Sequence, residues 1–293
     1  GHVAGAARLC VATGCFSRRF VVPLHRVPPS GEFDLDDLVR GRVDVACRVI
    51  SAALFLSRDL RHNVELLLPL GRGRPGRGNA CGSSPSRYSG VHRALHVSGA
   101  DLQRLRPDEK SIAAAMRAAL RGSAAERTRV RGMSVVETHG SAVRGGLAAA
   151  VHRCWSSPSA SAAPLAAPGQ GPARQDSAVL PARTSSWMAA LELCEDGDVD
   201  AVSLEARLRE LRGEASASSS STMPAQGGVT VLLGGGKDAM DERDREAFHD
   251  WAQREAAGAG VLRVRLGQAS LLSSHSIVLL HGLLDRLHVC PSE

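Results

Sequence analysis

The sequence predicts an α/β fold with a largely parallel sheet flanked by helices, and three observations carry that expectation. Short apolar runs alternate with stretches of helical spacing, the pattern of strands joined by crossover helices. Val64–Leu70 is apolar almost without interruption, which suits a strand covered on both faces rather than one half in water. Gly234, Gly235 and Gly236 directly follow an apolar run, where backbone without side chains can approach a ligand.

Taken in order, Arg19–Leu24 is the first predicted strand. A helix is predicted over Asp44–Leu60, because Val43, Cys47, Ile50 and Leu54 recur on one face. Cys47 falls on that apolar face and is expected in the core, not as a nucleophile. After the Val64–Leu70 strand, Pro107 with Asp108 and Glu109 predicts a helix start with Pro at its first position. That helix runs through Ile112, Met116 and Leu120 to Gly122. Toward the C-terminus follow a strand over Val229–Leu233, the glycine loop, a helix from Asp241 to about Ala257, a strand over Val261–Val264 and a last helix from Ser276.

Composition sets limits. At 43% hydrophobic the chain can build a core, but 3% aromatic content with 30 Gly leaves stretches that bury little. Three such stretches are expected as insertions or linkers: near 71–90, a basic loop with Arg72, Arg74, Arg77 and Arg87; near 155–186; and near 213–228. Residues 1–18 are expected as a presequence or basic tail, and 19–293 as a single domain. No Asp or Glu occurs from Gly1 to Gly31, a composition shared by organellar transit segments and by basic tails. A mitochondrial or cytoplasmic location is expected.

Lys and Arg outnumber Asp and Glu 36 to 30, which admits a polyanionic partner without requiring one. Seven Cys without a C-x-x-C pair argue against a disulfide framework and a zinc site, so no metal is expected. His275 lacks ligand partners at metal spacing and is expected to be packed or hydrogen-bonded. No apolar run reaches the roughly 18 residues of a membrane span. Gly236 and Lys237 do not form a phosphate loop, since Val231 stands where the first Gly belongs and Asp238 where the Ser or Thr belongs. A nucleotide-hydrolysing enzyme is therefore disfavoured.

Two strand-end loops, Gly234 onward and Leu266–His275, are expected side by side on one sheet edge, where α/β proteins place ligands. Phe20–Leu24, Phe33–Leu38, Gly41–Arg48, Ala52–Ser57 and Arg61 resemble, in order and spacing, the N-terminal half of the archaeal tRNA pseudouridine N1-methyltransferase family of the SPOUT class. Val97–Gly99, Leu105–Lys110, Gly132–Val135, Gly197–Asp198, Leu232–Gly234, His275–Ile277 and Leu284–Asp285 continue the resemblance.

The resemblance implies a C-terminal trefoil knot, a homodimer, S-adenosyl-L-methionine as cofactor and tRNA or another structured RNA as substrate. Carried over by position, the cofactor contacts are Leu193, Gly234, Leu266, Gly267, Gln268, Ala269, Ser270, Leu271 and Ser276. Methyl transfer needs a group to help remove the N1 proton, and Asp44, with Asp36 behind it, is the candidate. Both carboxylates could equally answer a helix dipole. Arg42, Arg48, Arg58 and Arg61 are the candidate RNA contacts. The chain departs from the family where Gly235-Gly236 replace Asp-His, Gly267-Gln268 replace Ser-Pro and Ser276 replaces Cys. An alternative compatible with these departures is a catalytically inactive member that binds RNA or assists ribosome assembly, with assembly partners.

Overall fold

The computed structural model describes residues 16–71, 91–122, 131–139, 146–155, 187–218, 227–234, 240–255, 260–267 and 270–287. Among the described residues eight strands form one sheet: β1 (Ser17–Val21), β2 (Val64–Pro69), β3 (Val91–Ser98), β4 (Met133–His139), β5 (Trp187–Leu193), β6 (Val199–Asp200), β7 (Gly227–Leu232) and β8 (Val261–Arg265). The helices described with them are α1 (Val43–Leu54), α2 (Glu109–Arg121), α3 (Gly146–Trp155), α4 (Ala201–Ser218), α5 (Glu242–Glu255) and α6 (Ser273–Arg286). The strand order is β4-β3-β2-β1-β7-β5-β8-β6. From β2 to β6 all neighbours are parallel, whereas β3 pairs antiparallel with β2 and β4 antiparallel with β3.

The strands are apolar on both faces because both faces are covered. Phe20, Leu66, Leu68, Leu191 and Val231 enter one core with α1, α2, α4 and α6. Their neighbours Val21, Leu67, Ala190 and Leu232 point to the other, with Leu147 of α3 and Phe248 and Trp251 of α5. On α1 the predicted stripe is complete: Val43, Cys47, Ile50 and Leu54 are all fully buried. Burial, above all, pushes the Cys47 thiol up to about 12, so it is a core group.

Several boundaries differ from expectation, each for a local reason. Helix α1 stops at Leu54, not Leu60, because Phe55 turns extended and pairs antiparallel with Leu60. The turn takes over the hydrogen bonding: Arg61 N donates to Leu54 O at 2.8 Å and Leu56 N to Asp59 O at 2.8 Å. In α2, Pro107 lies outside the helix and Asp108 is the cap, its carboxylate accepting from Ser111 N at 2.8 Å. Helix α6 begins at Ser273, three residues before the expected Ser276. Helix α4 continues to Ser218 and β7 starts at Gly227, so both ends of the insertion expected over 213–228 belong to regular elements, and 219–226 lie outside the described residues. Residues 1–15, 72–90 and 156–186, and with them most of the tail and the two other expected insertions, also lie outside. Gly71 itself is set against the chain, where a Cβ would collide with the His25 carbonyl oxygen.

A buried polar network ties α6 to β1 and α1. Arg18, 4% exposed in its side chain, bonds Asp285 at 2.7 Å and His281 Nδ1 at 3.0 Å. His281 Nε2 donates to Ala53 O at 3.0 Å, which leaves Nδ1 as the acceptor for Arg18. Burial, followed by the charges of Arg61 and Arg18, pushes the His281 imidazole down to about 3. A group so depressed is neutral in the fold but charges in the unfolded chain near its ordinary 6.5. Its contribution is therefore present above that value and is lost as pH falls toward 3, at up to about 1.4 kcal/mol per pH unit. Urea denaturation at pH 7.0, 6.0 and 5.0 is expected to show this slope in the wild type and a shallower one in His281→Gln.

Candidate cofactor and RNA site

The parallel strands put their C-terminal ends on one edge. In register, Val21 and Glu192 both stand beside Leu232, and Leu193 beside Val264. Leu233 N donates to Val21 O at 3.0 Å and Cys194 N to Val264 O at 3.0 Å, extending the sheet to its rim. The expected cofactor residues Leu193, Gly234 and Leu266 therefore share that rim, at the ends of β5, β7 and β8. Leu193 and Leu266 are partly buried against the main core, while Gly267, Ser270 and Leu271 are exposed. Gln268, Ala269 and the glycine loop over 235–239 lie outside the described residues.

The edge fits a ligand that is held mainly by backbone. Among the described residues, a Cβ built on Gly267 meets nothing within 4 Å, and one on Gly234 meets Met240 Cβ at 3.7 Å. Gly197 is the opposite case: its Cβ would stand 2.6 Å from Val264 C and 2.7 Å from Arg265 N. Only glycine lets the β5–β6 turn close against the end of β8. Ser276 is 8% exposed and its hydroxyl is turned back to Leu272 O at 3.3 Å.

Beside this rim, a shallow cleft is lined by Arg42, Val45, Arg48 and Val49 from the start of α1 and by Leu272, Ser273 and Ser274 from the start of α6. The cleft unites the candidate RNA-contacting block with the end of the candidate cofactor loop. Asp44 sits in the first turn of α1, its carboxylate 2.5 Å from Arg48 and 3.9 Å from Arg42. Arg42 adopts left-handed backbone, φ 59°, which swings the chain into the helix at this point.

The other candidates separate from the cleft. Asp36 is exposed and bonded to Lys110 of α2 at 2.8 Å, and that bond holds its carboxyl below the usual range. Arg58 is exposed in the turn after α1, not within the helix as expected. Arg61 forms a two-pronged pair with Asp285, 3.2 Å on each prong, and so serves the buried network. His275 is exposed and not packed; the packed histidine of α6 is His281, one turn and a half further on.

Two polar groupings near the rim were not anticipated. Glu192, 2% exposed, forms ion pairs with Arg245 at 2.9 Å and with His249 at 2.8 Å, pinning α5 to the end of β5. His25, just past β1, pairs with Asp244 at 2.6 Å. Asp241 and Asp244 exchange backbone-to-carboxylate bonds of 3.0 and 3.2 Å, so this cluster caps α5. Acidic residues spaced three apart at a helix start are a legible cap signal; the histidine partner, 219 residues away, is not.

Comparison with known proteins bears on the same residues. Residues 17–145 match a family described as "Putative SAM-dependent RNA methyltransferase". The tRNA (pseudouridine(54)-N(1))-methyltransferase of Haloferax volcanii is 37% identical over 105 residues, 35% of this chain and 43% of that protein. Its counterpart from Haloarcula marismortui is 38% identical over 123 residues, 41% of this chain and 50% of that protein. The chain thus spans about half the length of these relatives. A crystal structure of Archaeoglobus fulgidus Nep1 bound to S-adenosylhomocysteine aligns over 94% of this chain and 99% of that one, with TM-score 0.47 and 10% identity. Asp44, Arg42 and Arg48 fall inside the matched segment, and the candidate cofactor contacts fall beyond it. Over residues 17–145, less than half of its length, the chain is similar to the family described as putative SAM-dependent RNA methyltransferases and to archaeal proteins named tRNA (pseudouridine(54)-N(1))-methyltransferase.

Proposed function

We propose that this protein is an S-adenosylmethionine-dependent RNA methyltransferase acting at N1 of pseudouridine in tRNA or another structured RNA. The observation that carries the reading is the cleft that joins Arg42 and Arg48 to Leu272–Ser274, inside a segment similar to enzymes of that name. When bound, the cofactor supplies an electrophilic methyl group. Gly234, Leu266 and Gly267 with the rest of that loop, and Leu193, would hold it at the rim. Arg42 and Arg48 would hold RNA phosphate, and the Asp44 carboxylate would accept or orient the N1 proton.

The same reading includes the C-terminal knot and a homodimer. Leu271, Leu272, Val278 and Leu279 are 38 to 56% exposed on and just before α6, an apolar stripe that suits a second copy of the chain. Among the described residues no helix is long and apolar enough to cross a membrane. The inactive RNA-binding or ribosome-assembly reading is favoured by one observation, the Gly235-Gly236 pair in place of the family's Asp-His.

The test is methyl transfer from radiolabelled S-adenosylmethionine to a T-arm stem-loop containing pseudouridine, with the uridine version as control. Transfer to the pseudouridine RNA alone is expected, with kcat about 100-fold lower in Asp44→Asn. Tight RNA binding without transfer would favour the inactive reading.

A further inference from the structure

The start of α1 and the start of α6 meet over the shallow cleft, and its lining divides into two kinds of surface. Val45 and Val49, one helical turn apart on α1, form a buried apolar floor. Leu272, just before α6, stands beside them and is 51% exposed, an apolar side chain left in water at the cleft itself. Around this floor the groups are polar: the guanidiniums of Arg42 and Arg48, both partly open to solvent, and the hydroxyls of Ser273 and Ser274. The two arginines outweigh Asp44, the one carboxylate they share, so this side of the cleft keeps a net positive charge. The serines are used differently. Ser273 donates to Gly234 O and Ser276 to Leu272 O, whereas among the described residues no hydrogen bond engages the Ser274 hydroxyl.

Cations beside an apolar floor match the two halves of a nucleotide, phosphate against guanidinium and ring against carbon. The cleft is too shallow to enclose a ring, so a base would lie with one face against it. We propose that the reacting base of the RNA lies against Leu272, over Val45 and Val49, and that the Ser274 hydroxyl hydrogen-bonds the edge of the ring. The proposal rests on the reading of this protein as an RNA methyltransferase. It assigns to two residues at the start of α6 the part of recognition that phosphate contacts cannot supply, since every nucleotide presents the same phosphate. A uracil-type ring carries carbonyl oxygens on its edge, and each can accept from a hydroxyl. Covering Leu272 removes apolar surface from water, a gain that a ribose-phosphate backbone without a base does not give.

Fluorescence anisotropy of the full chain with two T-arm stem-loops tests this, one carrying pseudouridine at the target position and the other an abasic ribose there. The wild type is expected to prefer the pseudouridine RNA about 25-fold. Leu272→Ala and Ser274→Ala are each expected to cut that preference about 5-fold, by weakening the pseudouridine RNA while the abasic RNA binds to within about 2-fold of wild type. Leu272→Met keeps an apolar side chain and is expected to keep the preference. A change in assembly or in the phosphate contacts would weaken both RNAs alike, so the ratio separates base contact from either. Equal binding of the two RNAs by the wild type, a preference that survives in both alanine variants, or an equal weakening of both RNAs overturns the proposal while leaving RNA as the substrate. Binding of neither RNA by the folded wild type overturns the methyltransferase reading and the proposal together.

Discussion

Replacing Asp285 with alanine is expected to destabilise the protein by about 3 kcal/mol, read from urea denaturation at pH 7. The reason is what the substitution leaves behind. Arg18 is 4% exposed, and its charge is answered by Asp285 at 2.7 Å while its other contact, His281, is neutral in the fold. Arg61 shares the same carboxylate and lies close enough to oppose Arg18 electrostatically. Burial alone would push the Asp285 carboxyl up, but the bonds from Arg18 and Arg61 hold it below the usual range, so it is charged at neutral pH. Without it, two guanidiniums face each other with one of them buried, and the penalty is that of an uncompensated interior charge. Because Asp285 is itself 46% exposed, the loss belongs at the lower end of the 3 to 5 kcal/mol seen for broken buried pairs. Asp285→Asn keeps hydrogen-bond acceptors and is expected to cost about half as much. A loss below about 1 kcal/mol in Asp285→Ala would show that the network does not orient α6.

The second large effect is expected at Gly197. Any side chain there would press a Cβ onto the backbone of Val264 and Arg265, at 2.6 and 2.7 Å, and neither atom is the free end of a flexible group. The end of β8 must then shift, and Leu266 and Gly267 shift with it, since they continue the same strand into the candidate cofactor loop. Gly197→Ala is expected to cost about 2 to 3 kcal/mol of stability, the range for an overfilled packed site. It is also expected to weaken S-adenosylhomocysteine more than 10-fold, because a displacement of a few tenths of an ångström at the rim disrupts backbone contacts that have no side-chain slack. Gly267→Ala is the control: among the described residues its Cβ meets nothing within 4 Å, so stability is expected to change by less than about 0.5 kcal/mol.

The features legible in the sequence were those written in local periodicity. The stripe Val43, Cys47, Ile50 and Leu54 specifies α1 and its buried face, and Ile112, Met116 and Leu120 do the same for α2. The doubly apolar run of β2 announced a strand covered on both sides, and β7 and β8 were anticipated in order, whereas the two-residue β6 is too short to leave a pattern. The antiparallel edge was not legible, since residues 72–90 separate β2 from β3 and no short turn marks a hairpin. Helix α4 was missed because its charged residues surround only two fully buried leucines, Leu204 and Leu208.

The same distinction holds for the candidate site. Arg42, Asp44 and Arg48 share a helix start, and one turn of helix brings residues three or four apart onto one face. Arg61 was read with them from proximity in sequence, yet it turns inward to Asp285, 224 residues away, a pairing that no local pattern encodes. Ser273 gave no signal either, because its hydroxyl matters only once α6 begins beside Gly234.

The rim formed by β5, β7 and β8 is the proposed S-adenosylmethionine site. The direct measurement is calorimetric titration of the purified chain with S-adenosylmethionine and S-adenosylhomocysteine, beside the variant Gly234→Trp. Position 234 has room for a Cβ against Met240 but lies on the rim itself, so an indole there would occupy the ligand's place without entering the core. Binding near micromolar in the wild type, abolished in a Gly234→Trp protein of unchanged thermal stability, is the result the account predicts. A folded wild type that binds neither compound at millimolar concentration, or a Gly234→Trp variant that binds as well as the wild type, would contradict it.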